Sequence, residues 1–163
     1  MVSKFSRRTE DGILRSLPIR HSVLHTHMGS AGKSTFITLE RAQRALIKVA
    51  LKLPFKFPTD TLYGKFRVLR DRQLFILMAT LATHAVIKKR ADYQDLLRKR
   101  IFRIPLPNAN SELARRCTQY SNPSTYNKVN RICDLRDCTH NMCKKKITAA
   151  LLKLTYIETE ALL

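Results

Sequence analysis

The chain has 163 residues, long enough for one domain with a core of its own. An apolar share of 44% argues against global disorder, and 31 Lys and Arg against 12 acids leave a formal charge of +19. That surplus points to an anionic partner, RNA or DNA bound through phosphates first of all. A basic piece of a larger protein would show the same imbalance.

Residues 1–20 read as a divergent, poorly ordered head, polar except for Ile13 to Leu17. They carry no signal-peptide pattern, and no run in the chain approaches the ~20 apolar residues of a membrane span. An intracellular chain, cytoplasmic or nuclear, is therefore expected, with its four cysteines reduced. His21, His25 and His27 follow, but a metal site needs further ligands, and no convincing set lies nearby. Gly29-Ser-Ala-Gly32-Lys33-Ser34 invites comparison with a phosphate loop. Such a loop needs four residues between its glycines so that backbone amides can wrap the phosphates; only two separate them here.

Ser34 to Leu53 has helical spacing, with Phe36, Leu39, Ala42, Leu46, Val49, Ala50 and Leu53 as the apolar face. Arg41, Arg44, Lys48 and Lys52 recur beside it as a cationic face. This face is either a solvated surface or a nucleic-acid contact. Ser34 or Thr35 is placed to cap the start, and Pro54 stops the helix. Leu53 to Pro58 is extended; Phe55 and Phe57 alternate with Lys56, and core anchoring is expected of them, although aromatics between lysines can also stack on bases. Thr59 then reads as the cap of a short helix ending near Gly64.

Asp71 to Arg90 is the second long helix, with Leu74, Leu77, Met78, Leu81, Ala82, Ala85 and Val86 as a stripe that Phe75 and Ile76 widen. So broad a stripe marks a central core helix, in which His84 is a satisfied or peripheral histidine. Asp92 to Phe102 is helical by Leu96, Leu97, Ile101 and Phe102, and Arg98, Lys99, Arg100 and Arg103 form the densest basic patch, a candidate either for nuclear import or for binding nucleic-acid phosphates. Ile104 to Ser111 is a loop by its prolines and asparagines, dividing residues 21–103 from 104–163. Residues 112–120 stay open between a short strand and irregular chain. Asn122 and Pro123 suit a helix start. Cys133, Cys138, His140 and Cys143 are the right elements for zinc, but they crowd together where a structural site pairs close ligands across a longer gap. Thr139 or Asn141 would cap a last long helix, and Thr155 to Glu158 has the capping-box pattern. The fold class is mainly α, with a helix-rich first half and a looser second half.

Several segments in order resemble one family. GSAGKS (29–34), LERAQRALIKV (39–49), FKFPTDTLY (55–63), VLRDRQLFI (68–76), the Pro-x-x-Tyr-Asn piece at Pro123 to Asn127 and the terminal LTYIETEALL (154–163) look like the C-terminal part of insect non-long-terminal-repeat retrotransposon reverse transcriptases of the jockey-like kind. The resemblance covers roughly residues 21–163, although the tryptophan of the family's Trp-Gly loop is absent. It implies a thumb-like region beyond the palm, with Arg41, Arg44, Lys48 and Lys52 as candidates to hold template–primer phosphates. A polymerase needs close carboxylates to hold two metal ions. No two aspartates are adjacent here, so this chain is expected to be non-catalytic, without cofactor or small-molecule substrate. A stand-alone basic nucleic-acid-binding module, a nucleotide-hydrolysing enzyme built on Gly32-Lys33-Ser34 and a decayed gene product are the alternatives.

Overall fold

A computed structural model describes residues 33–163. The head, the histidines at 21–27 and the Gly29–Gly32 loop lie outside the described residues. Eight helices follow in order: α1 (Lys33–Ala50), α2 (Thr59–Phe66), α3 (Asp71–Lys88), α4 (Tyr93–Arg98), α5 (Glu112–Arg116), α6 (Thr118–Ile132), α7 (His140–Leu151) and α8 (Tyr156–Leu162). No strand occurs among the described residues, so the protein is mainly α.

Helix α3 is the axis of the fold, and α1, α6, α7 and α8 pack against it. Its buried line is Ile76, Thr80, His84 and Ile87, joined by Gln73 and Leu77. This line is rotated from the expected stripe: Ala82, Ala85 and Val86 are exposed. Polar residues occupy buried places because each is satisfied there. Thr80 and Thr83 donate to the carbonyls of Ile76 and Ala79 one turn back, both at 2.7 Å. Gln73 accepts from Arg70 N at 3.0 Å and donates to Leu151 O at 2.7 Å, tying α3 to the end of α7.

His84 carries the most demanding bond set. Its Nε2 lies 2.9 Å from Cys138 O and its Nδ1 3.0 Å from Tyr126 Oη. A carbonyl only accepts, so Nε2 holds the proton, and the Tyr126 hydroxyl donates to Nδ1. One neutral imidazole thereby joins α3, α6 and the 133–139 loop.

The main core takes residues from both sides of the loop at 104, from Leu69, Ile76 and Phe102 to Tyr126, Ile147 and Leu162. Two asparagines of α6 stitch that loop down. Asn127 accepts from Ile104 N and donates to Ile104 O, at 2.8 and 2.9 Å, as a neighbouring strand would. Asn130 donates to Phe102 O and accepts from Leu135 N, both at 3.0 Å. A smaller cluster of Ile47, Leu62 and Tyr63 joins α1 to α2.

Four local expectations change. Segment 112–120 is neither strand nor irregular: Ser111 Oγ accepts from Ala114 N and starts α5, and α6 begins at Thr118. Pro123 therefore lies inside α6; Cys117 O accepts from both Tyr120 N and Ser121 N, so the helix has already begun before the proline. Thr59 is the first residue of α2 rather than its cap, and its hydroxyl accepts from Arg44. Arg67 takes the left-handed conformation (φ 51°) that ends α2, so the helix runs past Gly64.

Burial lowers the pKa of His84 below its ordinary 6.5, outweighing the bond to Cys138 O. The unfolded chain therefore takes up this proton first as pH falls. The stability that the neutral ring contributes is complete above about 6.5 and is lost as pH drops below it. The melting temperature should fall between about pH 7 and 5, with a slope from this group of up to about 1.4 kcal/mol per pH unit. His84→Gln, less stable at neutral pH, should show a flatter pH profile over that range.

Candidate nucleic-acid interface

The candidate cations divide into those held by the fold and those left free. Helix α1 buries Phe36, Ile47 and the inner side of Gln43, whereas Ala42, Leu46, Val49 and Ala50 are exposed. The expected apolar face is thus largely outside. The reason is a polar tie: Gln43 Nε2 donates to Leu69 O at 2.9 Å, and its Oε1 accepts from the Tyr63 hydroxyl at 3.1 Å. That tie turns Gln43 inward, and Ile47 one turn later fills the cluster with Leu62 and Tyr63. Burial pushes the Tyr63 hydroxyl up to about 12, so it remains a donor.

This rotation decides the fate of the quartet. Arg44 Nη1 donates to Thr59 Oγ1 at 3.2 Å. Lys48 Nζ donates to Phe55 O at 2.6 Å and stands 5.6 Å from the centre of the Phe55 ring. Both cations brace the 51–58 turn. Arg41 and Lys52 are exposed, with no ion pair among the described residues, and Lys52 adopts a positive φ of 51°.

The second candidate group is freer. Arg98, Lys99 and Arg100 are exposed at and just beyond the C-terminus of α4. The chain leaves the helix at Lys99, short of the expected Phe102, because Phe102 and Ile104 turn into the main core in an extended connection. Arg98 approaches Asp95 only at 4.0 Å, with both side chains mostly exposed. Such a pair is worth little. Arg136 donates to Arg100 O at 3.3 Å and brings its guanidinium here from another part of the chain, paired with Asp134 at 3.5 Å. Lys99 and Arg103 line a cleft of about 300 Å³ that also contains Asp92. Arg90 grips Asp92 with two bonds of 2.8 Å, holding its carboxyl below the usual range, so that it stays ionised with its charge balanced by the guanidinium.

A third cationic place was not legible as a site. Arg67, Lys144 and Lys145 line a groove of about 530 Å³ with Asn141, Thr148 and Leu152, without a carboxylate. The lysine run of α7 was visible in the sequence; Arg67 reaches it only through the fold.

The zinc candidates do not form a metal centre. Cys138 and Cys143 are buried, Cys133 is half-buried and His140 is exposed. Lys146 Nζ sits 3.2 Å from Cys138 Sγ and 2.9 Å from Asp134 O, so an ammonium group already occupies the side of that sulfur. Burial raises the Cys143 thiol to about 11, which opposes the thiolate that zinc requires. Among the described residues, no group of three or more His, Cys, Asp or Glu is placed to hold a metal ion. No helix among them is long and apolar enough to cross a membrane.

No protein-family model, curated protein or solved structure matches this chain.

The two roles of the quartet separate experimentally. Lys48→Ala removes the bond that holds the 51–58 turn and should cost about 0.5–1 kcal/mol, with faster hydrogen exchange at the Phe57 amide. Arg41→Ala should leave both stability and that exchange unchanged.

Proposed function

We propose that this chain is the non-catalytic, post-palm part of a retrotransposon RNA-directed DNA polymerase and that its free cations hold nucleic acid by the phosphates. The observation that carries the binding role is the exposed run Arg98-Lys99-Arg100, whose one ion pair among the described residues is the 4.0 Å contact of Arg98 with Asp95; Arg103 and Arg136, the latter paired with Asp134 at 3.5 Å, lie beside it. The family reading rests on the ordered segments from GSAGKS to LTYIETEALL, and the non-catalytic reading on the absence of adjacent aspartates. A net charge of +19 supports the binding role.

The chemistry is positional. Guanidinium and ammonium groups neutralise phosphates and release condensed counterions, a term indifferent to base sequence. Arginine adds paired N–H donors that match two phosphate oxygens at once. Such contacts hold a template–primer in register without selecting its sequence. The site of action is intracellular, in cytoplasm or nucleus, in keeping with four free thiols.

The triple variant Arg98→Gln, Lys99→Gln, Arg100→Gln tests the interface. Binding of the full chain to an RNA–DNA hybrid is followed between about 50 and 200 mM salt. Each lost phosphate contact should flatten the log K against log salt slope by roughly 0.9, so the triple should lose up to about three. A slope equal to that of the unaltered chain would remove these residues from the interface.

A further inference from the structure

Phe55 is 91% exposed, the most exposed of the large hydrophobic residues described. Core anchoring was expected of it; only Phe57 meets that expectation, packing against the cluster of Ile47, Leu62 and Tyr63. The ring is nevertheless held in place. Pro54 and Pro58 restrict the backbone on either side. Phe57 N donates to Pro54 O at 3.0 Å and closes the turn. Lys48 grips the Phe55 carbonyl at 2.6 Å. The aromatic is therefore presented on a braced turn rather than on a loose one.

Its surroundings select the occupant. Lys48 stands 5.6 Å from the ring centre, and the exposed Lys52 and Lys56 flank it in sequence. Asp60, the nearest acid along the chain, is paired with Arg70 at 2.7 Å. An apolar protein surface would have to dehydrate these ammonium groups. A nucleic-acid strand offers a π face to the ring and phosphates to the lysines, so both features are used together. A base inside a duplex is already stacked on its neighbours and has no free face to give.

We propose that Phe55 is a stacking platform for an unpaired base of single-stranded nucleic acid, with Lys52 and Lys56 on the adjoining phosphates. This rests on the nucleic-acid reading above and assigns part of the interface to a single strand. Every base has a π face, so the platform tolerates any sequence.

The chain contains no tryptophan, so Phe55→Trp installs a single indole at the proposed platform, which can be excited selectively over the tyrosines. The full-length variant is titrated with a single-stranded oligouridylate and, separately, with a blunt RNA–DNA hybrid. Stacking predicts quenching that follows the single-strand binding curve and little quenching by the hybrid. Phe55→Ala should weaken single-strand binding about tenfold or more and leave hybrid binding and the melting temperature unchanged. Phe55→Leu should bind as weakly as Phe55→Ala, because it restores apolar bulk without a π face.

Four results would overturn the proposal. Binding of oligouridylate without quenching would place the base elsewhere. Recovery by Phe55→Leu would make the contact merely apolar. A fluorescence change that depends on protein concentration in the absence of oligonucleotide would assign the ring to a contact between copies of the chain. If the unaltered chain binds neither nucleic acid, the broader reading fails and this one with it; the first three outcomes leave that reading intact.

Discussion

The neutral imidazole of His84 is the constraint on which the arrangement of helices depends. It sits 1% exposed between Tyr126 and the Cys138 carbonyl, and both its nitrogens are used. Moving either partner would leave a buried polar atom without a bond, at a cost of several times the net worth of the bond itself. Gln73 plays the same part at the other end of α3, bound to Leu151 O and within 3.4 Å of Thr159. The long helix is thus bolted at both ends by polar groups whose geometry admits one arrangement, while aliphatic packing fills the space between. Hydrophobic burial supplies the drive, but it is non-directional. The bolts supply direction.

Fixing α3 also determines where the charges fall. Several cations are used internally. Arg72 is buried, paired with Glu160 and stacked near Phe36 and Tyr156. Arg70 pairs with Asp60 beside Tyr63, Lys128 reaches Ala161 O, and Lys146 serves Asp134 and Cys138. Others lie outside, some of them in local groups at 98–103, around the 51–58 turn and along the Arg67–Lys145 groove. Counting basic residues would have credited all of them equally. Only the second set can meet a phosphate without dismantling the fold.

What the sequence made legible was local. The long helices, the Thr139 cap and the Thr155–Glu158 capping box depend on near neighbours, and the structure carries each of them. The patch at Arg98 to Arg100 is legible because its three cations are consecutive in the chain. The orientation of α1 was not. Its apolar residues lie on more than one side, and the choice was made by Gln43 meeting Tyr63 and Leu69, residues beyond any local window. The outward position of Phe55 has a related cause: alternation with Lys56 shows that one phenylalanine can face inward, not which one. Pro123 suits a helix start by its local chemistry, yet the carbonyl of Cys117 already accepts from the first turn of α6. The groove at Arg67 joins distant segments and has no local signature at all.

The division between braced and free cations is the central claim, and lysine reactivity footprinting tests it most directly. The full chain would be acetylated sparingly with and without a saturating RNA–DNA hybrid carrying a single-stranded overhang, and each lysine would be read by mass spectrometry. The account predicts that Lys52, Lys56 and Lys99 lose reactivity in the complex, whereas Lys48 and Lys146, already engaged within the protein, change little. Uniform protection of all lysines, or unaltered reactivity at Lys99 with nucleic acid bound, would contradict it.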